Sequence, residues 1–234
     1  MKHTVLIIQN DEPETLGLYE SILRTKSKVE LIHAYAMKPG DKFPKQEDFD
    51  AFVVGATPIS ANDVEKHRFL RTEWEYLKQI TVSGKPLLGV CCGGQMLSRL
   101  LGGEVKPSPE REIGGYTVKL TEEGLKDSLF RGFPPEFPVF HWHSEMFTVP
   151  PGGYLLATGS PCPIQAFGHN NVRGLIFHLE LTVEDVRRWA EAYPLEPELI
   201  GKTIEEAINE CEERKDEMSK LAERLIDNLL AMAL

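Results

Sequence analysis

The chain has 234 residues, 41% of them hydrophobic, which is enough to bury a substantial core in one large α/β domain over residues 1–234. Its 26 Lys and Arg against 36 Asp and Glu give a formal net charge of -10, which argues against general affinity for phosphate backbones, so nucleic acid is not an expected partner. No run approaches the roughly 18 apolar residues of a membrane span, and the apolar stretch after Met1-Lys2-His3-Thr4 is too short for a secretory signal. The four cysteines, Cys91, Cys92, Cys162 and Cys211, include an adjacent pair that is poor disulfide geometry and no metal-ligand pair of pairs. A cytoplasmic protein without metal or cofactor is expected.

Val5 to Gln9 is a continuous apolar run of the kind buried on both faces of a parallel sheet. Pro13, then Leu16, Tyr19, Ile22 and Leu23 at helical spacing, predict a helix that stops at Thr25-Lys26-Ser27. A second strand spans Val29 to His33, and a Pro/Gly/Lys-rich loop over 38–48 leads to a third, Ala51 to Val54, ending at Gly55. Asn62 or Asp63 is the expected cap of a helix carrying Phe69, Trp74, Leu77 and Ile80 and stopping at Gly84. Leu87 to Val90 is a further buried strand, and Met96, Leu97, Leu100 and Leu101 mark the helix after it. Alternation of this kind implies βαβ units on a parallel sheet.

From about residue 104 the pattern changes to short strands parted by Pro and Gly: Tyr116–Thr121, Val139–His141, Tyr154–Ala157, Ile164–Phe167 and Gly174–Phe177. They suggest an antiparallel extension before the chain returns to the main sheet. Residues 182–234 form a helical extension with an apolar stripe, Ile204, Ile208, Cys211, Met218, Ala222, Leu225 and Leu229, broken once near Lys215. A face packed on the domain is the simplest reading, and a homodimer seam or partner surface is the alternative.

Gly89-Val90-Cys91-Cys92-Gly93-Gly94-Gln95 joins a buried strand directly to a helix. A nucleophile on such a turn needs small neighbours, because its backbone is strained and its side chain must stand clear of the sheet. The start of the helix is expected to favour thiolate at Cys91 and to offer the Cys92 amide to an oxyanion. A second amide is expected from the loop at Gly55, Ala56 and Thr57. His178 and Glu180 point the same way along a strand, so the carboxylate can orient the imidazole and stabilise its cation.

Gly-Val-Cys-Cys-Gly-Gly-Gln resembles the nucleophile motif of class I glutamine amidotransferases, and Gly174 to Glu180 is similar to that family's Gly-x-Gln-Phe-His-Pro-Glu box, with Ile176 and Leu179 as departures. Glu112-Ile113-Gly114, Trp142-His143-Ser144-Glu145 and Gln165-Ala166-Phe167 extend the likeness over nearly the whole chain. The nearest comparison is the glutaminase domain of GMP synthetase, here standing alone. The resemblance implies a mostly parallel, flavodoxin-like sheet flanked by helices, with a small antiparallel extension. It also implies a nucleophile at Cys91, a general base and acid at His178 and an orienter at Glu180. Gln95, Trp142, Ser144 and Glu145 would hold the substrate's α-substituents, with Cys92 and Gly55 or Ala56 at the oxyanion. His143 reads as structural, and His3, His33, His67, His141 and His169 as ordinary solvated or hydrogen-bonded side chains.

Three functions follow from this likeness. One is a glutaminase that cleaves the γ-amide of glutamine through a Cys thioester and passes ammonia to a separate synthetase chain. Another is a free-standing hydrolase or transpeptidase for γ-glutamyl amides or peptides. The third is a non-enzymatic binding module on the same fold.

Overall fold

The computed structural model describes residues 2–233. Strand β1 is Thr4–Gln9, and its alternate side chains enter different cores: Val5 and Ile7 pack into one apolar layer, Leu6 and Ile8 into the other. Burial on both faces is why the strand reads as an unbroken apolar run. There follow α1 (Gly17–Lys26), β2 (Lys28–His33) and β3 (Ala51–Val54). The next helical stretch is split. A 3-10 turn, Ala61–Lys66, is capped by Ser60, whose side chain accepts from the Asn62 amide, and α2 (Arg68–Ser83) begins only after extended His67. The cap expected at Asn62 or Asp63 is therefore at Ser60, while the expected stop at Gly84 holds, with a left-handed φ of 75°. Strand β4 (Leu87–Val90) then runs into α3 (Cys92–Leu100).

The antiparallel part is longer than its sequence suggests. Strand β5 spans Val105–Leu120 and β6 Glu136–Phe147, with the short α4 (Glu122–Lys126) between them, where the sequence predicts only short strands at Tyr116 and Val139. Pro107, Pro109 and Pro138 lie inside these strands, and proline is tolerated there because the ribbon forms the outer edge of the sheet. The ribbon is irregular between Pro107 and Glu112, then pairs Glu112 opposite His143 and Gly114 opposite His141. Strands β7 (Tyr154–Thr158), β8 (Ala166–His169) and β9 (Val172–Leu175) complete the nine-stranded sheet, in the order β2-β1-β3-β4-β9-β8-β7-β5-β6. The first five strands of that order are parallel and the remaining pairings antiparallel.

The tail is α5 (Val183–Ala192), a 3-10 turn at Pro197–Ile200 and α6 (Ile204–Ala231). Thr203 and Glu206 close a reciprocal capping box at the start of α6. The stripe from Ile208 to Leu229 is buried in the same core layer as α1, α5 and the ribbon, so the packed-face reading describes this helix. The gap near Lys215 is filled by Arg214, whose guanidinium lies so close over Gly115 that a Cβ there would collide with it. Among the described residues no helix is long and apolar enough to cross a membrane.

Candidate active site

Cys91 sits between β4 and α3 with φ 51° and ψ -113°, a conformation that costs an L-residue on the order of 1–3 kcal/mol. The surroundings impose it. Its amide donates to Leu175 O at 2.8 Å, and its carbonyl accepts from the Gln95 amide at 3.0 Å. Two glycines let the backbones close in: a Cβ on Gly93 would collide with Val54 O, and one on Gly89 would lie 2.6 Å from the Gly93 carbonyl carbon. The elbow is thus wedged against β3 and β9.

His178 lies three residues beyond the end of β9, which pairs with β4, so it and Cys91 occupy the same edge of neighbouring strands. Two backbone bonds lock it to the ribbon, His178 N to Phe140 O at 2.9 Å and Phe140 N to His178 O at 3.0 Å. Its Nδ1 is 2.5 Å from Glu180 Oε1, and Glu180 Oε2 accepts from the Leu179 amide at 3.0 Å. With a carboxylate at Nδ1, the proton sits on that nitrogen and the lone pair is left on Nε2, which is buried and has no hydrogen-bond partner. Trp189 meets the ring edge-on at 5.1 Å.

The Cys91 thiol is 4.0 Å from Trp142 O. Burial foremost, then the negative charges of Glu14, Glu180 and Glu196, push the thiol well above its ordinary value, against the opposing pull of the Cys92 amide. This reverses the expectation of a resting thiolate: desolvation and carboxylate neighbours outweigh the start of α3.

The remaining expected residues fall into two groups. Gln95 is buried beside Cys91 and its Nε2 donates to Glu145 O at 3.0 Å, so it grips the ribbon's backbone. Trp142, Ser144 and Glu145 line the same pocket as Cys91, and Trp142 Nε1 donates to Glu196 Oε2 at 2.6 Å. In the loop after β3, the Gly55 amide is used by Ile8 O at 2.9 Å. Gly55 is therefore not a free donor, and of the three loop candidates Thr57 is the one lining the pocket.

Residues 12–187 match the glutamine amidotransferase class-I family. The chain belongs to that family. It is similar to the glutamine amidotransferase-like protein YfeJ of Salmonella typhimurium, 34% identical over 61% of this chain and 62% of that one, so the chain spans less than two thirds of that relative's length. One component of the glutamine-hydrolyzing GMP synthase of Sulfolobus acidocaldarius is 30% identical over 70% of this chain and 85% of that one. The crystal structure of a glutamine amidotransferase from Thermotoga maritima superposes with a TM-score of 0.89 at 28% identity, covering 98% of this chain and 99% of that one. The C-terminal helices are therefore part of an architecture already seen in that glutamine amidotransferase.

Among the pocket residues that escaped the sequence are Glu14, Arg111, Tyr193 and Glu196. Arg111 pairs with Glu196 at 3.2 Å, and Tyr193 Oη donates to Asp11 Oδ2 at 2.6 Å. Glu14 is almost fully buried, and desolvation first, then Asp11, push its carboxyl from 4.5 up to about 8. The acidic loop Asp11-Glu12-Pro13-Glu14 could have been flagged, because it follows the carboxyl end of a parallel strand, where ligands gather in such sheets. Nothing in the tail's sequence marks Tyr193 or Glu196. His141 also departs from its reading: it is 1% exposed, and its Nδ1 has no partner.

Proposed function

We propose that this class-I glutamine amidotransferase hydrolyses the γ-amide of glutamine through a thioester on Cys91. The observation that carries the reading is the strained elbow at Cys91 on the same sheet edge as the short His178–Glu180 pair. The thiol, neutral at rest, loses its proton to His178 Nε2 as sulfur attacks the γ-carbonyl carbon. Glu180 holds the imidazolium so formed. The oxyanion is taken by the Cys92 amide and by that of Ala56 or Thr57. His178 then protonates the departing amine and ammonia leaves. Water attacks the thioester, its proton passing to His178; collapse of the second oxyanion expels the Cys91 sulfur, which takes that proton back as glutamate forms. Gln95, Trp142, Ser144 and Glu145 hold the α-substituents of the substrate.

The test is release of ammonia and glutamate from glutamine by the wild type and by Cys91→Ala. The variant is expected to keep its circular dichroism spectrum and lose turnover. Turnover near the wild-type rate in that variant sinks the proposal.

A second reading makes the protein a free-standing hydrolase of γ-glutamyl amides or peptides. One observation favours it: Tyr193 and Glu196 from the tail wall the pocket together with Cys91, which offers polar side chains to a leaving group larger than ammonia. The relatives named as components of GMP synthases support the first reading, in which a synthetase partner takes the ammonia. Constitutive cleavage of γ-glutamyl peptides by the chain alone favours the hydrolase. Glutaminase activity that awaits a synthetase and its nucleotide favours the amidotransferase.

A further inference from the structure

Opposite the elbow in character, the β5–β6 ribbon carries a second set of titratable side chains that the proposed mechanism does not use. Glu112 on β5 and His141 and His143 on β6 project from one face of the ribbon, because 141 and 143 are two apart and Glu112 is paired across from His143. All three are buried, at 0%, 1% and 5% exposure, and each offers a ligand atom within 4.8 Å of the other two.

Their hydrogen bonding is incomplete in an informative way. His143 Nδ1 is 3.1 Å from Glu145 O, and a carbonyl only accepts, so the proton sits on Nδ1. In the neutral ring Nε2 is then a lone pair, yet it faces Glu112 Oε2 at 3.2 Å, acceptor against acceptor. Nε2 has no hydrogen-bond partner despite that distance, and neither does either oxygen of Glu112 nor Nδ1 of His141. A buried carboxylate without a donor is costly, and either a proton or a cation has to offset it. A proton on His143 is one candidate, but the contact lacks hydrogen-bond geometry, and the neighbouring His141 ring lies 4.9 Å away, where a second imidazole would be set against a cation. A dication between the three groups meets every requirement: it accepts lone pairs from neutral imidazoles and neutralises the carboxylate. Adjacent ligands on a tetrahedral zinc lie about 3.3 Å apart, given metal–ligand bonds of about 2.0–2.1 Å, which matches the His143–Glu112 spacing. The Nδ1 bond to a backbone carbonyl is the usual outer contact of a metal-bound histidine.

We propose that Glu112, His141 and His143 form a binding site for a divalent transition metal of the zinc or iron class, chosen by two imidazoles and one carboxylate. The ion clamps β5 to β6 behind the segment that places Trp142, Ser144 and Glu145 in the pocket. It takes no part in the Cys91 chemistry, so the site stands or falls independently of the proposed reaction.

The test starts from the whole chain freed of metal by a chelator and titrated calorimetrically with Zn²⁺ alone. One Zn²⁺ per chain is expected, with binding at least about 100-fold weaker in His141→Ala and in Glu112→Gln. Cys91→Ala should bind as the wild type does, which separates this site from the Cys91-His178-Glu180 set. X-ray absorption on the zinc-loaded wild type should show nitrogen and oxygen neighbours near 2.0–2.1 Å and no sulfur at about 2.3 Å, a readout that stands even if the variants fail to fold. Absence of stoichiometric uptake, a sulfur ligand, or loss of binding in Cys91→Ala instead of His141→Ala overturns the proposal.

Discussion

The elbow and the ribbon meet at one pocket but are held by different means. Around Cys91 and His178 the constraints are backbone ones: amide-to-carbonyl bonds between Cys91 and Leu175 and between His178 and Phe140, and contacts so tight that only glycine fits at 89 and 93. Along the ribbon the pocket residues are held through polar side chains: Gln95 on Glu145 O, His143 on Glu145 O, and Trp142 on a Glu196 that is itself paired with Arg111. Tolerance to change divides along the same line. Backbone constraints fix the atoms proposed to react and leave no room for substitution, whereas side-chain constraints shape the part proposed for recognition and can be weakened one at a time.

The strongest challenge to this division lies at the elbow's own edge. His178→Ala is expected to lower kcat for glutamine by on the order of 10³–10⁴ with little change in KM, since it removes the group proposed as both base and acid. Steady-state ammonia release measures it, and a loss confined to KM would place His178 with the recognition residues. Next, Gly93→Ala forces its new Cβ towards Val54 O, and a displacement of the elbow by about 1 Å should cost about 100-fold in kcat. A variant with full activity would show that the contact can relax.

On the ribbon side, Trp142→Phe keeps the ring but removes the donor to Glu196. The expected result is a KM increase of about tenfold with kcat nearly kept, the loss of one hydrogen bond to a charged group. Equal falls in kcat and kcat/KM would mean that the ribbon positions reacting atoms as well.

The smallest effect concerns stability behind the elbow. Glu73 on α2 is fully buried, accepts one hydrogen bond from Asn10 Nδ2 at 3.1 Å, and desolvation pushes its carboxyl from 4.5 up to about 8. Because the folded state binds this proton more tightly than the unfolded chain, the associated stability is fully present below about pH 4.5 and is lost as the pH rises towards 8. Glu73→Gln should therefore leave Tm nearly unchanged at pH 5 and raise it by roughly 5 °C at pH 9. Thermal unfolding at the two values decides, and equal shifts would mean that Glu73 does not titrate in this window.

The inner parallel strands β1, β3 and β4 were legible because each is a short, mostly apolar run bounded by Gly, Pro or polar residues, and burial on both faces leaves that composition little freedom. The elbow was legible for the same reason, since small residues on both sides of Cys91 answer a local need. The ribbon was not. Its prolines read as strand breakers, and only its position at the edge of the sheet makes them acceptable. The split between the turn at Ala61–Lys66 and α2 was also hidden, because the expected cap and the real one at Ser60 are both polar residues at the start of the same helical stretch.

The family, the alternation of strands and helices, and the three residues proposed for the chemistry could all be read from the order of residues, because each rests on spacing along one strand or one turn. The upward push on the thiol's pKa could not, since it comes from burial first and then from Glu14, Glu180 and Glu196 converging from distant segments on the sulfur. Folding in three dimensions also decided that Gly55 has no free amide, that Tyr193 and Glu196 reach the pocket from the tail, and that Glu112 faces two histidines across a ribbon. Charge, desolvation and unpaired donors are properties of neighbours in space, and no spacing along the chain encodes them.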